Sequence, residues 1–148
     1  MSSKPPIGYI DIRVFAHATE NQEKVQSAVR NLLTTELAET LVFEKTNLTG
    51  HHGNPITLFT VKLTDKKLLQ AAIEKFGANL NAIDKELLNQ EIRLHLEKGN
   101  LYLRFDKQSA FCGTLKLSQN DPIHLKIHFK NKTSDEIMDI CHKVGLLL

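Results

Sequence analysis

The chain has 148 residues, of which 41% are apolar and 24% charged, and its formal net charge is +2. That composition suits one domain with an ordinary core and excludes wholesale disorder. The small net charge also excludes a strongly basic nucleic-acid binder, so any argument from charge has to be local. Charges balance over residues 1–90. Lysine and arginine outnumber aspartate and glutamate over 91–132, and the segment Lys126–Lys132 is notably basic.

Residues 1–6 are expected to be a flexible tip to a single domain, 1–148. GYIDIRVFAHA then alternates, with Ile10, Ile12, Val14 and Ala16 on one side and Asp11, Arg13, Phe15 and His17 on the other, which predicts a half-buried strand. Thr19 with Gln22 three residues on reads as a capping box for a helix carrying Val25, Ala28, Val29, Leu32 and Leu33. Residues 38–48 read as a second strand, TGHHGNP as a turn, and ITLFTVKL as a third strand. Thr64-Asp65 caps a helix bearing Leu68, Leu69, Ala72, Ile73 and Phe76, which Gly77 is expected to break or kink, and a further helical segment runs from Asn79 to Asn89. EIRLHLE and LYLRFD read as a hairpin, CGTLKLS as a strand, and HLKIHFK as the cleanest alternation in the chain. There Leu125, Ile127 and Phe129 go inward, and His124, Lys126, His128 and Lys130 outward. Thr133 or Ser134 opens a last helix. The fold class is therefore α+β: an antiparallel sheet with one solvated face and helices packed on the other.

Cys112 and Cys141 are far apart in sequence, in apolar surroundings, and form neither a CxxC pair nor a zinc knuckle. Two buried thiols in a reducing compartment are expected. No stretch has the apolar length of a membrane span, and the polar N-terminus is unlike a signal peptide. The expectation is a cytoplasmic protein with no membrane contact.

Arg13, His17, Arg104, Lys126, His128 and Lys130 all fall on outward strand phases. If their strands are neighbours, they form a positive patch with Phe15 and Tyr102 interspersed, suited to phosphate contact and base stacking. The competing reading is an ordinary solvated sheet face. In GHHGNP, His51, His52 and Asn54 can donate to phosphate or serve a structural loop. A metal site there, with His17 as a third ligand, is disfavoured because adjacent histidines in a turn rarely converge on one ion. In RFDKQ, Asp106 is placed to orient Arg104 or Lys107, while Lys107 and Gln108 reach toward phosphate and a base or ribose edge; alternatively Asp106 is a cap. The chain has no P-loop, GxSxG, HExxH or dinucleotide fingerprint, so no catalytic residue, cofactor or metal is expected.

Three strings in order, YIDIRVFAHATE (9–20), GHHGNPI (50–56) and LYLRFDKQSAFCG (101–113), followed by Asp-Pro-Ile and a basic strand, resemble an archaeal family of small RNA-binding-domain proteins labelled predicted exosome subunits. The resemblance runs from Tyr9 to about Phe129. It implies a fold like ribosomal protein L5 and an RNA-binding accessory role in RNA processing or translation, with RNA, exosome or ribosomal proteins, or a second copy as partners. The positions that match are His17, Thr19 and Glu20; His51, His52, Gly53 and Asn54; and Arg104, Asp106, Lys107 and Gln108. Ser109 stands where alanine is usual, a change expected to matter little. A protein–protein adaptor, and a small enzyme acting on a phosphate-containing ligand through His17, His51 and His52, are the alternatives.

Overall fold

A computed structural model describes residues 7–50 and 52–148. The tip at 1–6 and His51 lie outside the described residues. Strand β1 (Ile7–His17) follows the alternation, with Ile10, Ile12, Val14 and Ala16 buried. The chain then turns tightly, Glu20 N donating to His17 O at 2.9 Å. This postpones helix α1 (Gln22–Leu32), so Asn21 rather than Thr19 is the cap, its Oδ1 accepting from Lys24 N at 3.1 Å. A short helix α2 (Thr35–Glu39), capped by Thr34 and burying Leu37, occupies residues expected to begin a strand. Strand β2 (Glu44–Thr49) is correspondingly shorter, and it pairs with β3 (Pro55–Leu63).

Helix α3 (Lys66–Asn79) starts at Asp65, whose carboxylate accepts from Lys67 N and Leu68 N. It runs through Gly77 unbroken. A Cβ there would lie 1.9 Å from the Val144 carbonyl oxygen, so the glycine admits a neighbouring backbone instead of ending the helix. Helix α4 (Ala82–Glu91) leads into a 3₁₀ turn at Ile92–His95 and a two-residue strand β4 (Leu96–Glu97). The expected hairpin arm EIRLHLE is thus mostly 3₁₀. Ile92 is buried there, and His95 Nδ1 meets the Tyr102 carbonyl at 2.8 Å. Strand β5 (Asn100–Phe105) precedes a short helix α5 (Lys107–Phe111). CGTLKLS contributes only a bridge from Leu117 to Phe105, because Leu117 N donates instead to buried Asp84 at 2.9 Å. Strand β6 (Ile123–Phe129) and helix α6 (Ser134–Val144) match the sequence, α6 opening on a capping box of Thr133 and Glu136.

The strands form one antiparallel sheet in the order β2-β3-β1-β6-β5-β4. The inward phases, including Ile12, Phe59, Leu103 and Ile127, join Val29, Ile73, Phe76 and Ile137 from the helices in a single core. Each such fully buried side chain contributes about 1.5–3 kcal/mol of transfer free energy. Cys141 belongs to this core, where burial pushes its thiol up to about 12. Cys112, expected to be buried, is exposed at the end of α5. Among the described residues no helix is long and apolar enough to cross a membrane.

Candidate nucleic-acid interface

The central strands β1, β6 and β5 present their outward phases as cross-strand rows. One row runs from Arg13 through His124 to Arg104, with Thr60 of β3 beyond Arg13. The next runs Lys62, Asp11, Lys126, Tyr102. A third holds Tyr9, His128 and Asn100. Facing residues in such rows sit with their Cβ atoms about 4.5–5.5 Å apart, so Arg13, Arg104, Lys126 and His128 share one surface, while His17 does not join them. Lys130 follows β6 and keeps to the same side, its stem packed over Gly8.

The aromatic element of this face is Tyr9 rather than Phe15 alone. Its ring stacks on His128 at 4.8 Å and 19°, with Lys62 Nζ 4.6 Å and Lys126 Nζ 5.7 Å from its centroid. His128 Nδ1 is held by Asn100 Oδ1 at 2.8 Å, which fixes the ring plane. The Tyr9 hydroxyl, by hydrogen bonding, also raises the proton affinity of the Lys126 ammonium, so that cation is secure. Among the described residues, neither Arg13 nor Arg104 has a hydrogen-bond or ion-pair partner for its guanidinium. His124 between them has its pKa lowered by burial, then by Arg13 and Arg104. Tyr9, Lys62, His124 and Asn100 were not singled out as contact residues from sequence. The signal for the first three was available, since each lies on the outward phase of its strand.

The remaining expected residues go elsewhere. His17 ends β1, and its Nε2 meets Asp121 Oδ2 at 3.0 Å. Lys107 is spent inward: with 12% of its side chain exposed, its ammonium donates to Phe15 O at 2.8 Å and Glu20 Oε1 at 2.9 Å, and pairs with Asp121 Oδ2 at 2.8 Å. His17, Glu20 and Asp121 are also the one trio among the described residues with donor atoms spaced for a metal ion, all within 4.8 Å. The Lys107 ammonium already supplies the positive charge there. Asp106 orients neither Arg104 nor Lys107. It caps α5, accepting from Ser109 N at 2.8 Å and from Ser109 Oγ at 2.6 Å. The hydroxyl bond holds the Asp106 carboxyl below its ordinary value, a contact that alanine at 109 would lack. Gln108 lines a separate open cleft of about 410 Å³ between α1 and α5 with Lys24 and Phe111. His52 and Asn54 occupy the exposed tip of the β2–β3 hairpin, closed by Gly50 N donating to Asn54 O at 2.6 Å. Ile56, just after that tip, faces His17, which puts the hairpin tip at the far end of β1 from Tyr9. The histidine trio proposed for catalysis therefore reduces to His17, hydrogen-bonded to Asp121, and a loop residue, His52, with His51 outside the described residues.

A family model described as RNA binding matches residues 9–129. A relative named RNA-binding protein PAB1135, from Pyrococcus abyssi, is 33% identical over 133 residues, covering 88% of this chain and 86% of its own. Another, the uncharacterized protein MJ0213 of Methanocaldococcus jannaschii, is 28% identical over 118 residues, covering 77% and 78%. Among solved structures, Mth689, a DUF54 protein from Methanothermobacter thermautotrophicus, superposes with a TM-score of 0.77 at 29% identity, over 94% of this chain and 98% of its own. AF2318 from Archaeoglobus fulgidus gives a TM-score of 0.76 at 21% identity, over 93% and 99%, a likeness of fold. The motif strings of β1, the β2–β3 hairpin and β5–α5 all lie inside the matched span, and the chain belongs to the RNA-binding family.

Proposed function

We propose that this protein is a non-enzymatic RNA-binding accessory factor of RNA processing or translation, which holds the phosphate backbone on its open sheet face. The observation that carries the reading is Arg13 and Arg104, without ion-pair partners among the described residues, in one row, beside Lys126 and the Lys-flanked Tyr9 in the next two. Lysine and arginine neutralise phosphates, and an aromatic ring gives an unpaired base a surface to stack on. Lys130 and His128 extend the contact toward one end of the sheet. His17, His52 and Asn54 lie toward the other. Lys107 supports the end of β1 through the Phe15 carbonyl, and Gln108 lies in the separate cleft between α1 and α5. The sequence resemblance supports partners in an exosome or ribosome-associated complex and a fold like ribosomal protein L5, and the sequence reading of thiols and termini supports a place in the cytoplasm.

Fluorescence anisotropy with labelled single-stranded RNA, structured RNA and DNA, at about 50 and 200 mM salt, tests the proposal, because each phosphate contact adds to the salt dependence. Arg104→Glu and Lys126→Glu should each weaken binding about ten-fold and flatten the salt slope, with the fold intact. Unchanged affinity in both variants would overturn it. Partner proteins that co-purify after nuclease treatment would favour the adaptor instead.

A further inference from the structure

Three basic side chains occupy consecutive positions of one cross-strand row. Arg13 on β1 and Arg104 on β5 both face His124 on the strand between them. The two guanidiniums thus flank an imidazole whose pKa is lowered, and the acid that shares their row, Glu44 of β2, stands beyond Thr60. Neither guanidinium has an acidic partner among the described residues. Asp11, the nearest acid on β1, lies in the next row, between Lys62 and Lys126. Asp121, in the turn before β6, is held by Lys107 and His17. Lys126 adds a further positive charge two residues along, with Tyr102 of β5 directly opposite it. Together these groups line an open groove of about 500 Å³. Asp11 is the one carboxylate on its wall.

We propose that this groove is a phosphomonoester site, taking a terminal phosphate of RNA between Arg13 and Arg104 with His124 at its floor. The source of the ligand rests on the RNA-binding reading; which phosphate is recognised goes beyond it. An internal phosphodiester carries one negative charge and offers two non-ester oxygens. A terminal monoester carries about −1.5 to −2 near neutral pH and offers three. Two guanidinium forks and one imidazole N–H match three oxygens, and the planar forks can each bind in bidentate fashion. His124 is held neutral by burial and its arginine neighbours, Asp121 opposing them weakly. It donates one N–H as it stands, and a dianion seated above it offsets the field of the arginines.

The test compares one short single-stranded RNA made with a 5′-phosphate, a 3′-phosphate, or hydroxyls at both ends, by anisotropy on the full chain. The histidine ring protons are titrated by NMR in parallel, with and without inorganic phosphate. A preference of about ten-fold for one phosphorylated end is expected, the effect of roughly one further charge facing two guanidiniums in a solvated groove. Arg13→Met and Arg104→Met should each remove most of that preference while keeping the native NMR fingerprint, and phosphate should raise the His124 pKa. Equal affinity for all three RNAs, with His124 unmoved by phosphate, overturns the phosphomonoester site and leaves RNA binding standing. Absence of binding to every RNA, with His124 still shifted by inorganic phosphate, overturns RNA as the source and keeps the site.

Discussion

Lys107→Met removes a cation while keeping most of the apolar stem. The ammonium now meets three oxygens, the Phe15 carbonyl at 2.8 Å, Glu20 Oε1 at 2.9 Å and Asp121 Oδ2 at 2.8 Å. Hydrogen bonds to charged groups contribute about 1.5–3 kcal/mol each. The two carboxylates are 31% and 38% exposed, so water replaces much of what they lose and their share is discounted. The Phe15 carbonyl, inside the sheet margin, loses its side-chain partner outright, and Glu20 and Asp121 are left facing each other with only His17 between them. The sum is a loss of about 2–3 kcal/mol, or about 5–10 °C in melting temperature for a chain of this length. Urea unfolding at neutral pH measures it. A double-mutant cycle with Asp121→Asn should give clearly non-additive losses. A midpoint equal to that of the parent protein, or strict additivity, would refute the idea that this lysine ties β1, the start of α1 and the turn before β6 together.

Other outcomes follow from the same geometry. Gly77→Ala should cost about 2–3 kcal/mol by calorimetry, because the new methyl meets the Val144 carbonyl; at an open helix position the change would stabilise by about 1 kcal/mol, so the sign decides. His124 has a folded pKa below its ordinary 6.5, so the fold favours its neutral form. Its contribution to stability is whole above about pH 6.5 and is lost as pH falls toward the folded value. His124→Gln should therefore flatten the acid side of the stability curve, and an unaltered slope would contradict this. A thiol reagent should modify Cys112 in the native protein and Cys141 only after unfolding, counted by intact mass.

Where alternation is strict and the turns flanking it are strong, as in β1 and β6, strand phase was legible from sequence and carried the basic residues to the correct face. What could not be read was adjacency. Nothing local to IDIRVFA or HLKIHFK says that these segments pair, yet only that pairing sets Arg13 against His124. EIRLHLE alternates as a strand should, but it tightens into a 3₁₀ turn because Ile92 is drawn into the core and His95 reaches the Tyr102 carbonyl. Lys107 read as a phosphate ligand because its two acidic partners lie far off, one in the turn after β1 and one in a QNDP segment that signalled only a turn. Asp121 sits there with φ at 47°, a left-handed backbone that aspartate tolerates better than most side chains, and the alternation around it gives no hint of that.

The position of β1 in the sheet has a consequence for synthesis. Strand β1, made before its partners, is central, pairing with β3 on one side and on the other with β6, whose register runs as far as Ile7 against Phe129. On the ribosome, where chains grow at about 5–20 residues per second, β1 can zip to β3 early. It must then wait through the making of α3, α4 and α5 before its second edge is covered. For those seconds an open edge displays Ile10, Ile12 and Val14 beside unpaired backbone, the kind of template that captures strands from neighbouring chains. Nascent chains arrested just before Ile123 should therefore be the species most prone to self-association.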